Sequence, residues 1–148
     1  MTLLEGEYEP STVGWARRQV EEYEASGGTR ANTLGDTGLP IVVVTSRGAQ
    51  SGNLRKNPVM RVEHEGEYAL VGSVGGAPKH PSWVHNLREH PEDVAIQDGA
   101  EPFLVRVREV DGDERAEWWD RAVAAYPPYA EYQERTDRVI PVFVATPR

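Results

Sequence analysis

The chain has 148 residues, no cysteine, and a net charge of −8 from 24 Asp+Glu against 16 Lys+Arg. Disulfides, thiolate metal sites and a cysteine nucleophile are therefore excluded. A broad nucleic-acid-binding face and charge-driven docking on an anionic membrane are disfavoured, because both need a basic surface. One domain of this size buries roughly 68–70% of its unfolded surface, enough for a core without staples. Lys56 and Lys79 are the only lysines. The longest apolar run, Leu39 to Val44, is too short to span a bilayer. The acidic opening MTLLEGEYEP has no signal-peptide core. These features predict one domain over residues 1–148, soluble and cytoplasmic.

Residues 1–11 read as a flexible acidic arm. Ser11 or Thr12 can cap a helix over residues 12–25, in which Val13, Ala16, Val20 and Tyr23 recur at helical spacing. This helix is expected to cover one side of a sheet. Its polar face is not basic, so a membrane-surface role is the weaker alternative. Residues 26–38 form a loop with four glycines. LPIVVVTS then reads as a buried strand, and KNPVMRVEH and EYALVGSV as two more, turned at Glu65-Gly66. Residues 82–90 predict a short helix closed before Pro91. DVAIQD and EPFLVRVREVD form a second hairpin around Asp98-Gly99. DGDERAEWWDRAVAAY is the clearest helix, with acids in its first turns and Trp119, Ala122, Val123 and Tyr126 on one face. PYAEYQERTD can add one more turn. VIPVFVATP is a last strand, where Pro141 argues for an edge or a bulge. About six strands joined by hairpins imply an antiparallel sheet, and its apolar centre predicts a small barrel with peripheral helices.

Three segments could carry chemistry. The turn Thr45–Arg55 is rich in small residues, so its backbone N–H groups can cradle a phosphate or carboxylate, with Arg47 and Arg55 supplying charge. It lacks the ending of a Walker loop. The segment Ser73–Leu87 runs from a strand through Gly75 and Gly76 into a helix, which permits close approach of a flat ligand. In it Trp83 can be plain core, whereas the Asn86 amide, mid-helix, requires a partner. Tyr126, Tyr129 and Tyr132 recur at i, i+3, i+6 and would point one way, either as packing or as an aromatic wall whose hydroxyls donate to a substrate. His80, His85 and His90 are five apart and share no helical face, so no metal site is expected. No Ser-His-Asp set or Gly-x-Ser-x-Gly elbow is present.

Together these segments resemble the deazaflavin-dependent nitroreductase family from about Leu39 to Pro147. Gly48, Ser51, Gly52, Arg55, Asn57 and Pro58 fit the family's strand–turn–Arg-x-x-Pro pattern. Ser73, Gly75, Gly76, Pro81, Trp83, Asn86 and Leu87 fit its Ser-x-Gly-Gly loop and following Pro-x-Trp-x-x-Asn-Leu helix. The tyrosine triplet fits its substrate pocket. Two departures stand out: Ala49-Gln50 replaces the family's Arg-Lys pair, and Val74 stands where a polar or basic residue is common.

The resemblance implies a split β-barrel of the pyridoxamine-phosphate-oxidase-like type and coenzyme F-420, a deazaflavin with a phosphodiester and an oligoglutamate tail. By the same carry-over Gln50, Ser51, Gly52 and Arg55 hold the phosphate and tail, and Asn57, Pro58, Trp83 and Asn86 flank the cofactor further in. Gly75, Gly76 and Lys79 belong to the second cofactor loop. Ser73, Tyr126, Tyr129 and Tyr132 line the substrate side, with Tyr129 and Tyr132 favoured as hydrogen-bond donors. The implied reaction is hydride transfer from the reduced deazaflavin to an electron-poor small molecule: an enone, a quinone or a nitroaromatic. An FMN-binding reductase on the same barrel and a non-catalytic deazaflavin carrier are the alternatives. Monomer or homodimer, and a peripheral membrane contact of the first helix, stay open. Arg47, Arg55, Lys56 and Lys79 are expected to gather around the two cofactor loops, as a local basic groove in an acidic protein.

Overall fold

The computed structural model describes residues 4–73 and 80–148. Seven strands form one antiparallel sheet: β1 (Ile41–Arg47), β2 (Leu54–Met60), β3 (Glu63–His64), β4 (Glu67–Val71), β5 (Val94–Gln97), β6 (Pro102–Glu109) and β7 (Val142–Pro147). Their order across the sheet is β2-β1-β5-β6-β7-β4-β3. β2 and β3 thus lie at opposite ends, yet Arg61 and Val62 alone separate them in the chain. A flat sheet would hold those ends about 29 Å apart, at ~4.8 Å per strand. The connecting segment reaches only about 11 Å. The sheet has to curl until its two ends meet, and the result is the expected split barrel.

Strand alternation divides the core in two. Val42, Val44, Leu70, Ile96, Val105 and Phe143 fill the barrel interior with Val84 and Leu87 of α2 (Ser82–Glu89). The opposite faces of the same strands, with Ile41, Val43, Val71, Val142 and Val144, are covered by α1 (Gly14–Ala25), α3 (Gly112–Ala125) and α4 (Pro128–Glu134). β1 therefore reads as a continuous apolar run because both of its faces are buried. α1 presents Ala16, Val20 and Tyr23 to this layer. The Tyr23 hydroxyl donates to the Gln97 carbonyl at 3.2 Å and accepts the Gly99 N–H at 2.8 Å, pinning the helix to the β5–β6 turn.

Four expectations are corrected. The arm is not loose where it is described: the Leu54 N–H donates to the Glu7 carbonyl at 2.7 Å, the Glu9 N–H donates to the Leu54 carbonyl at 2.9 Å, and Leu4 is buried against Leu54 and Ala95. The exposed edge of β2 offers unpaired backbone groups, and the arm takes them. In α3 the face of Trp119, Ala122, Val123 and Tyr126 packs on the core as expected, but the most deeply buried tryptophan is Trp118, which that stripe leaves out. Pro141 marks no edge. β7 lies between β6 and β4, and Pro141 precedes its first residue, so no ladder donor is lost. Among the described residues the strand count rises to seven, because the short β3 splits from β2. Among the described residues no helix is long and apolar enough to cross a membrane.

Candidate active site

The turn between β1 and β2 is shaped by its glycines. Gly52 has φ +74°, and a Cβ on Gly48 would stand 2.7 Å from Ser51 Oγ. The Gly48 N–H donates to the Asn53 carbonyl at 2.7 Å and the Gly52 N–H to the Gly48 carbonyl at 3.0 Å. Asn86 explains its place in α2 here. Its side chain is buried, its Oδ1 accepts the Ala49 N–H at 2.9 Å, and its Nδ2 reaches Ser46 Oγ at 3.4 Å. A buried amide with partners on two elements ties the turn to the helix.

Two joined cavities flank this tie. The polar one, about 300 Å³, is lined by Gln50, Ser51, Arg55, Ser82, His85 and Asn86 among others. The apolar one, about 500 Å³, is lined by Pro58, Met60, Val71, Ser73, Pro81 and the three tyrosines, together with Val13, which precedes α1, and Trp15 and Gln19 of α1. Asn57 and Trp83 line both, so the two are lobes of one cleft.

Alternation along β2 explains which cations reach it. Arg55 and Asn57 stand opposite Ser46 and Val44, on the face turned toward α2. Lys56 and Leu54 stand on the other face, and so does Arg47, which pairs with Leu54. Lys56 is ion-paired with Glu24 and lies over the Tyr8 ring. Arg47 pairs with Asp93 at 2.8 Å and donates to the carbonyls of Gly52 and Glu5. The expected basic cluster is therefore corrected: Arg47 and Lys56 point away, and Arg55 lines the polar lobe. Arg55 itself is paired with Glu9 of the arm at 2.9 Å.

The tyrosines converge as their spacing predicts. Their ring centroids lie 4.9 to 6.2 Å apart, and the hydroxyls of Tyr126 and Tyr132 are 2.8 Å from each other. Tyr129 is only 3% exposed and packs between its neighbours and Trp119. Burial, then the Tyr132 hydroxyl bond, pushes the Tyr126 phenol up to about 12; burial also raises Tyr129. These phenols stay protonated at neutral pH and act as hydrogen-bond donors, not bases.

The cleft brings together Gln50, Ser51, Arg55, Asn57, Pro58, Ser73, Trp83, Asn86 and the three tyrosines. Gly52 shapes the turn but lines neither lobe. Gly75, Gly76 and Lys79 lie outside the described residues. Sequence reasoning missed Val13, Trp15, Gln19, Ser82 and His85. The available signal was Trp15, a large aromatic off the buried face of a charged helix and 57% exposed.

The model of the F420H(2)-dependent quinone reductase family matches residues 15–147. The chain belongs to that family. Such a quinone reductase from Mycobacterium tuberculosis H37Rv is 34% identical over 112 residues, 74% of each chain. A solved F420-H2-dependent reductase is 54% identical, with a TM-score of 0.67 over 72% of this chain and 93% of that one. Another solved structure, a domain-swapped dimer, is 48% identical, with a TM-score of 0.70 over 91% and 99%. This chain is thus an oxidoreductase of the F-420-dependent class. Its cleft suits that coenzyme: a polar lobe with a guanidinium for an anionic arm, Asn57 and Trp83 at the junction to border a flat ring, and the apolar lobe beyond them.

Proposed function

We propose that this protein passes a hydride from reduced coenzyme F-420 to a quinone-like acceptor held in the apolar lobe. The observation that carries the reading is the cleft itself, in which an Arg55-bearing polar lobe and a tyrosine-walled apolar lobe meet at Asn57 and Trp83. Arg55, Ser51 and Gln50 would hold the coenzyme's anionic arm, and Asn57, Pro58 and Trp83 would flank its ring. The reduced coenzyme supplies two electrons as hydride when bound. The protein's own part is positioning and charge stabilisation. One of the paired Tyr126 and Tyr132 hydroxyls donates to the other, which leaves one O–H free to donate to the acceptor oxygen as negative charge develops. Burial pushes the Tyr126 phenol up to about 12, so it keeps its proton at neutral pH, and solvent supplies the proton of the product. Val13 and Trp15 would contact an apolar acceptor and limit water entry. Enones and nitroaromatics are further acceptors that the same geometry would take, and a homodimer is the assembly suggested by the solved relative.

The test is titration of the purified protein with oxidised F-420 and with FMN, followed by loss of reduced F-420 absorbance with menadione, cyclohexenone and a nitroimidazole. Preferential F-420 binding with menadione turnover supports the reading. Tighter FMN binding would replace the coenzyme, and F-420 binding without turnover of any acceptor would indicate a carrier. Arg55→Ala should weaken F-420 binding about tenfold while leaving the menadione KM nearly unchanged, since it removes one charge-assisted contact.

A further inference from the structure

Arg138 follows α4 and faces the segment that carries Ser73, yet neither the proposed hydride step nor the family pattern uses it. Its Nη2 donates to the Ser73 carbonyl at 2.6 Å and its Nη1 to the Gly72 carbonyl at 3.0 Å. Nη1 also lies 2.9 Å from His80 Nδ1. Gly72 and Ser73 end the β4 side of the Ser-x-Gly-Gly segment, and His80 begins its return toward α2. One guanidinium therefore joins the end of the β4 stretch to the residue that leads into α2. The backbone beside it is held from α4: Gln133 Nε2 donates to the Arg138 carbonyl at 2.8 Å, and Gln133 Oε1 accepts the Ile140 N–H at 3.0 Å. α4 is the helix that presents Tyr129 and Tyr132. Gly72 leaves no slack, since a Cβ there would stand 2.7 Å from Val84 and 3.0 Å from Pro141.

We infer that Arg138 is a positioning residue that fixes the Ser73 side of the cleft, and the entry to the helix that carries Trp83, against the tyrosine helix. The inference deepens the proposed function and rests on F-420 binding in this cleft. The planar fork suits the task because it reaches two carbonyls and a ring nitrogen at once, which an ammonium cannot do. The contact to Nδ1 also requires a neutral His80. Among the described residues, the groups that face its imidazole are Arg138, Arg88, His85 and Glu109. Burial and the neighbouring guanidiniums hold it below the usual imidazole range. The grip is whole at pH 7.5 and is lost as the pH falls below that range.

The experiment measures F-420 affinity by calorimetry from pH 5 to 8 for the wild type, Arg138→Lys, Arg138→Gln and His80→Gln, alongside the melting temperature of each. At pH 7.5 both Arg138 variants should bind about tenfold more weakly, with lysine giving no rescue. His80→Gln, which keeps an acceptor that does not titrate, should bind like the wild type at pH 7.5 but lose the wild type's extra weakening toward pH 5. A lysine variant that binds like the wild type would overturn the inference in favour of simple charge attraction. An unchanged acid limb in His80→Gln would also overturn it, and that variant decides the matter if both Arg138 variants fail to fold. Failure of the wild type to bind F-420 would sink the proposed function instead, and with it the premise of this inference.

Discussion

Glu9 holds Arg55 at 2.9 Å and also accepts from Asn53 Nδ2 at 3.2 Å, so a carboxylate of the arm sits on the cation proposed for the coenzyme's anionic end. Both partners are partly exposed, and such a pair is worth roughly 0–1 kcal/mol. Glu9→Gln should therefore tighten F-420 binding by up to about fivefold at low salt, with the gain shrinking as salt is added. Unchanged or weaker binding would show that the carboxylate does not compete. Tyr132→Phe removes one hydroxyl of the Tyr126–Tyr132 pair. It should cut menadione kcat by about ten- to a hundredfold, while F-420 affinity stays within twofold. The opposite split would mean that the tyrosines face the coenzyme and not the acceptor. At this scale the residue types of the cleft were legible from spacing: the Tyr triplet converges as expected. Arg47 and Lys56 were misplaced because their nearness in sequence to Arg55 ignored the alternation of a strand.

Among the elements, α1 depends on one buried hydroxyl. Tyr23 joins the helix to the β5–β6 turn through Gln97 and Gly99. Tyr23→Phe preserves the packing but strands the Gly99 N–H, which should cost about 1–3 kcal/mol in a denaturant titration. A loss below half a kilocalorie would mean that the turn finds another acceptor. Both hairpins and all the long helices were readable from periodicity and turn residues. Glu65-Gly66 turns with positive φ at both positions, the signature of a tight hairpin. The deep burial of Trp118 was not readable, because Trp118 and Trp119 each fit an apolar stripe and both pack on the core. The docking of the arm on β2 was equally silent, since a backbone edge accepts almost any sequence.

For the whole molecule, several phenols are neutral by construction. Burial first, then the hydrogen bond to Asp98, pushes the Tyr68 phenol up to about 12, and Tyr126 is raised to the same range. A folded pKa above the unfolded one adds stability that is complete below the unfolded value near 10 and disappears as the pH climbs through the folded value. Thermal stability should therefore hold through pH 9 and fall between pH 10 and 12, with tyrosinate absorbance appearing together with unfolding. Tyrosinate absorbance that appears in full before any loss of structure would contradict this. The curled sheet makes the effect cooperative, because Tyr68 lies in the barrel core with Phe143 and Leu70.

By itself the sequence determined the antiparallel strands, the helices between them, the β1–β2 turn that borders the cleft, and a family whose chemistry depends on a deazaflavin. Those features are local, written in periods of two and 3.6 residues and in glycine and proline positions. The tertiary structure alone decided which cations enter the cleft, which tryptophan is buried, and that Arg138 spans Gly72, Ser73 and His80. Each of these depends on which face of a strand or helix meets a segment far away in the chain. Such a meeting is set by closure of the barrel, and no local pattern records it.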